Sequence, residues 1–155
     1  MKLFGKKIDK PSAEICVIPR ADKDYVFKAE AVLDFDDFDK LCPEPKESTS
    51  LNAKTKEVTK VKGKAYEERV EAWSTNRMNY MIIKSLSATE GLEWDNIDLK
   101  DVKTWVNYKD ELMESGLSAG EVNRVVSIVL EANSLDDKKY KEAHDRFLAS
   151  QSKKA

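Results

Sequence analysis

The chain has 155 residues, 41% of them hydrophobic and 36% charged, which is enough to bury one core without disulfide or metal staples. Its 27 basic and 29 acidic residues give a formal charge of -2 and lie interspersed along most of the chain, so no phosphate-neutralising stripe is present and nucleic acid is not an expected partner. No apolar run approaches the ~18 to 20 residues that span a bilayer, and no membrane role is expected.

The start "MKLFGKK" is too short and too polar for a signal peptide. Cys16 and Cys42 have neither CxxC spacing nor a nearby histidine, so they read as small apolar residues in a reducing cytoplasm. Two lysine-rich runs, Lys2 to Lys10 and Lys54 to Lys64, read as solvated segments.

Residues 13–19, "AEICVIP", form a β-rich run. Residues 25–33 alternate, with Tyr25, Phe27, Ala29, Ala31 and Leu33 on one face and Lys28 and Glu30 on the other. The polar "RADKD" between them predicts an antiparallel hairpin, which must pack on something or pair with another chain to be stable. Val32, Phe35, Phe38 and Leu41 then recur every three residues, predicting a short helical turn ended by Pro43 and Pro45. Residues 1–45 are thus a hairpin and short helix. Residues 46–64 lack aromatics and are dense in Lys, Ser and Thr, predicting a polar flexible loop with at most a weak "EVTKV" strand.

A helical domain is expected over 65–150. Its first helix runs from about Ala65 to Ser87, with Tyr66, Val70, Trp73, Tyr80 and Met81 in one sector and Ile82, Ile83 and Leu86 widening the apolar surface. Arg77 and Lys84 fall in the aromatic sector, where long cationic chains can lie along rings or present an edge to a partner. After Gly91, the segment from Trp94 to Leu112 predicts one or two short helices ending at Gly116. Ser118 with Glu121 is a capping-box pattern opening a helix of stiff valines that owes its stability to burial. Ser134 with Asp137 signals a last helix with Tyr140, Ala143, His144, Phe147 and Leu148 along one side, before a disordered tail at 151–155. The fold class is α+β: an N-terminal β-hairpin attached to a mainly α-helical domain of four to five helices.

Catalytic chemistry finds little support. The single histidine, His144, sits on a charged helix, and the acidic run Asp34, Asp36, Asp37 and Asp39 lacks the glycine and terminal glutamate of a calcium loop. Five glycines are too scattered for a phosphate cradle, and no nucleophile elbow is present. No enzyme activity, cofactor or metal is expected. Tryptophans serve both as core filler and as interface anchors, so the partner-facing candidates are Trp73, Arg77, Tyr80, Lys84, Trp94 and Trp105.

Three stretches, "AVLDFDDFDKLCPEP", "WSTNRMNYMIIKSLSATEGLEW" and "LMESGLSAGEVNRVVSIVLEANSLDD", occur in an order that resembles tail assembly chaperones of long-tailed, siphovirus-like bacteriophages. The likeness covers roughly residues 13 to 149 as a succession of helices and short phrases. It implies a cytoplasmic protein of the infected host that binds the tape-measure protein, keeps it soluble while tail tube protein polymerises around it, and is absent from the mature virion. The resemblance also implies, in many cases, a frameshifted longer form. The mixed Arg77/Lys84 edge then faces a coiled-coil client or another copy of the chain, giving self-association. The competing expectation is a structural virion protein, a tail-completion or connector subunit, whose hairpin adds a strand to a neighbour's sheet.

Overall fold

The structure, a computed structural model, describes residues 1–51, 53–61 and 63–153. Strands β1 (Glu14–Ile18) and β2 (Tyr25–Ala29) pair antiparallel, with Cys16 opposite Phe27 and Ile18 opposite Tyr25. Alternation turns Cys16, Ile18, Phe27 and Ala29 into the core and leaves Ile15, Val17, Val26 and Lys28 exposed. Tyr25, expected on the inner face, is exposed at the turn end of the hairpin, and Ala31 and Leu33 lie beyond the ladder.

Helix α1 (Asp36–Leu41) follows and buries Phe38. Strands β3 (Ser48–Leu51) and β4 (Val58–Val61) then make a second antiparallel hairpin in the segment expected to be loop. Only the β4 half carries a strand signal in the sequence, because β-branched residues concentrate there; Asn52 and Lys62 lie outside the described residues.

Helix α2 (Lys64–Leu86) is the centre of the molecule. Its first half is largely exposed, whereas Asn79 to Ile83, Ser85 and Leu86 are buried, which is the widening of apolar surface anticipated from the sequence. A 3₁₀ turn (Val102–Asn107) runs into α3 (Tyr108–Glu114), then α4 (Ala119–Ala132) opens on Ser118, whose hydroxyl accepts from the Glu121 N–H while Glu121 accepts from the Ser118 N–H. Val122, Val125, Ile128 and Val129 of α4 pack under β1 and against α2.

Helices α3 and α4 end alike. After α3, Gly116 takes a positive φ of 112°, its N–H donates to Met113 O, and the Leu117 N–H reaches back to Leu112 O. After α4, Ser134 takes the same place with φ 63°, with Ser134 N–H to Glu131 O and Leu135 N–H to Leu130 O. Ser134 therefore terminates α4 instead of capping the next helix, and α5 (Lys138–Ser152) has Asp137 at its N-cap without a side-chain hydrogen bond. The helix takes Ser152 and its predecessor from the tail expected to be disordered; Lys154 and Ala155 lie outside the described residues.

Side chains weld the hairpin to the helices. The Lys28 N–H donates to Thr89 Oγ1 (2.9 Å), the Thr89 hydroxyl donates to Lys28 O (3.0 Å), and the Glu30 N–H donates to Ser85 O (3.1 Å), so the outer edge of β2 is closed by the end of α2. Lys28 thus turns its main-chain groups away from β1. Residues opposite one another in an antiparallel ladder behave alike, so Ile15, opposite Lys28, and Val17, opposite Val26, turn theirs outward on the other edge. No hydrogen bond from elsewhere among the described residues reaches those groups.

Candidate partner-binding surface

The aromatic stretch of α2 builds a ring cluster around Phe38, which is fully buried. Phe35, Trp73, Tyr80 and Trp105 surround it with centroid separations of 6.3, 6.1, 5.5 and 6.1 Å, and Tyr80 meets Trp105 at 5.4 Å. The edge-on and tilted geometries bring positive ring edges to negative ring faces. Both indoles that face inward are satisfied: Trp73 Nε1 donates to Cys42 O and Trp105 Nε1 to Asp98 O, each at 3.0 Å.

Arg77 belongs to this cluster. Its guanidinium sits 3.7 Å from the Phe35 ring centre and 5.9 Å from that of Trp73, while no carboxylate pairs with it among the described residues. A cation over two ring faces is stabilised by their quadrupoles, and its half-buried stem extends the apolar wall. That is why an arginine lies in an aromatic sector.

The six sequence candidates therefore separate. Trp105, 0% exposed, and Tyr80, 3% exposed, are core residues with no surface to offer a partner on the folded protein. Trp73 and Trp94 are half-buried and packed against the core. Arg77 presents a partial edge, and Lys84, one and nearly two turns from Tyr80 and Arg77 respectively, is exposed. The sequence reading failed on Trp105 and Tyr80 because periodicity marks an apolar sector without saying how much of it neighbouring elements cover.

Lys84 stands at a groove of about 390 Å³ between the β2–α1 connection and α2. Glu30, Asp34 and Asp37 bring carboxylates to its rim, and Val32 and Leu33 supply apolar lining. Burial raises the Tyr80 phenol, helped by the negative charges of Asp37 and Asp34, so this hydroxyl stays protonated. Burial likewise raises the thiols of Cys16 and Cys42, both free. His144 is exposed beside Asp145 at 3.7 Å, and no cluster of three or more metal-ligating side chains occurs among the described residues.

Surfaces outside the six partner candidates carry much of the exposed apolar area. Helix α5 buries no residue: Tyr140, Phe147 and Leu148 are 50%, 59% and 51% exposed along the side expected to pack. The helix is held at its start by an ion pair from Lys139 to Glu14 (3.4 Å) and a hydrogen bond between the Ser134 and Tyr140 hydroxyls. Before β1, residues 1–12 are exposed throughout and include Leu3, Phe4 and Ile8. The signal for α5 was its composition, in which four basic and two acidic side chains flank a narrow apolar stripe.

No protein-family model, curated protein or solved structure matches this chain.

Proposed function

We propose that this protein is a tail assembly chaperone of a long-tailed bacteriophage, which binds the tape-measure protein in the host cytoplasm, keeps its long helices soluble and assists tail tube polymerisation before release from the finished particle. The observation that carries the reading is α5, a 15-residue amphipathic helix that buries none of its residues and leaves its apolar stripe half or more exposed. An isolated helix of this length is marginal in water and gains most of its stability by covering that stripe. A long helical client offers the matching surface: an apolar seam rimmed by charges of both signs. The closed ring cluster around Phe38 supplies a rigid body from which the helix projects.

Co-expression with the tape-measure protein tests the proposal. The client is expected to be soluble, and to co-elute, only when this protein is present. A client that is equally soluble alone would overturn it.

A structural virion protein is the second reading, favoured by the outward-turned main-chain groups of Ile15 and Val17, whose own side chains are apolar and exposed. Such an edge accepts an added strand from a neighbouring subunit. Stable retention of the protein in purified particles supports this reading against the first.

A further inference from the structure

Charge in this chain is segregated by position. Residues 1–12 hold four lysines against one aspartate, whereas residues 13–137 hold 17 basic against 26 acidic side chains. The cationic arm is also apolar at the tip: Leu3 and Lys6 exchange two main-chain hydrogen bonds (2.9 and 3.1 Å) around a two-residue turn with positive φ at Phe4 (50°) and Gly5 (76°). That geometry is the tight hairpin turn, and it projects the Phe4 ring wholly into solvent.

We propose that the arm of one copy docks in the acidic groove of a second copy, with Phe4 against Val32 and Leu33 and the arm's lysines opposite Glu30 and Asp37. Charge complementarity selects this occupant. The groove offers three carboxylates and one amine, an apolar lining, and about 390 Å³ of space, and the arm offers an aromatic ring flanked by Lys2, Lys6 and Lys7. Topology selects reciprocal exchange. Glu14 pairs with Ala29, so the arm leaves β1 beside Glu30, at the mouth of its own groove. Two copies related by a two-fold axis face each other mouth to mouth. The eight residues from Phe4 to Pro11 reach up to roughly 26 to 29 Å, enough to cross into the neighbour. Such a contact is isologous and closes at two copies. The dimer goes beyond the chaperone reading and does not depend on it, since it uses the arm and groove and leaves α5 free.

Sedimentation of the full chain from micromolar to millimolar concentration tests it. The wild type is expected to dimerise at low salt and to dissociate as screening shortens the reach of the lysines. K6E/K7E lies outside the core and leaves folding intact; it is expected to weaken the dimer at least about tenfold. E30K/D37K is expected to do the same, and the four substitutions combined to restore association. A wild type that stays monomeric throughout overturns the proposal, as does a dimer indifferent to K6E/K7E, or a combined variant no better than either pair. A monomer in which a probe at residue 4 is shielded by its own groove also overturns it, because the arm would then dock within one chain.

Discussion

Arg20 and Glu121, 101 residues apart, meet through two parallel N–H···O bonds, Nη2 to Oε1 at 2.6 Å and Nη1 to Oε2 at 2.7 Å. The same guanidinium donates to Gly116 O at 3.0 Å, and Glu121 also accepts from the Ser118 N–H at 3.0 Å. One fork thus ties the turn of the first hairpin to the end of α3 and the start of α4. The Arg20 bond, then the Ser118 main-chain bond, hold the Glu121 carboxyl down to about 2.

The sign of the pH effect follows. A carboxyl depressed in the folded state stabilises fully above its ordinary value near 4.5 and loses that contribution as pH falls through that value toward about 2. Glu121→Gln is expected to lower the denaturation midpoint at pH 7 and to leave it nearer the wild type at pH 2 to 3. Urea titrations at the two pH values check this; a constant difference would remove the pair from the acid response.

Asn133 is a second junction. Its Oδ1 accepts from the Val32 N–H, and its Nδ2 donates to Ser85 Oγ and Val129 O, each at 2.8 Å. Asn133→Ala strands polar groups from three elements and is expected to cost about 1–3 kcal/mol in chemical denaturation. Asn133→Asp is expected to be no milder, because a carboxylate cannot donate to Val129 O.

The ring cluster makes Phe38 the most sensitive aromatic. Removing its ring leaves Phe35, Trp73, Tyr80 and Trp105 around a void, and Phe38→Ala is expected to cost about 3–5 kcal/mol. Arg77→Met keeps the stem and removes the cation, for an expected loss of about 0.5–2 kcal/mol. Arg77→Glu therefore perturbs the fold as well as the surface, whereas Lys84→Glu changes only groove charge. A client assay that responds to Arg77→Glu but not to Lys84→Glu reports on stability.

Thr89→Val tests the closed edge of β2. The variant keeps shape and removes both hydrogen bonds to Lys28. Amide exchange at Lys28 is expected to accelerate while exchange in α4 stays at the wild-type rate. Unchanged protection at Lys28 would show that the edge is shielded by something other than the hydroxyl.

Local signals in the sequence located most elements. Alternation marked β1 and β2, Ser118 with Glu121 marked the start of α4, and Gly116 marked the end of α3, because each is a short-range rule written in adjacent residues. Failures came where distant contacts decide. Ser134 reads as an N-cap from its own neighbours, yet α4's last carbonyls draw its main chain into a terminating turn. Lys28 gives no hint that Thr89 will take its main-chain groups, nor Arg20 that Glu121 awaits it. Among the site candidates, the sector holding Arg77 and Tyr80 was legible, but which of its members α1 and the 3₁₀ turn would cover was not.

The central claim is that the exposed stripe of α5 engages the client. Phe147→Ser and Leu148→Ser combined leave both the core and the Ser134–Tyr140 anchor of the helix untouched, since neither residue is buried. Co-expression of this variant with the tape-measure protein, scored by client in the soluble fraction and by co-elution, tests the claim most directly. The account predicts an insoluble client and a folded, monodisperse variant. A client kept soluble and co-eluting as with the wild type would contradict it.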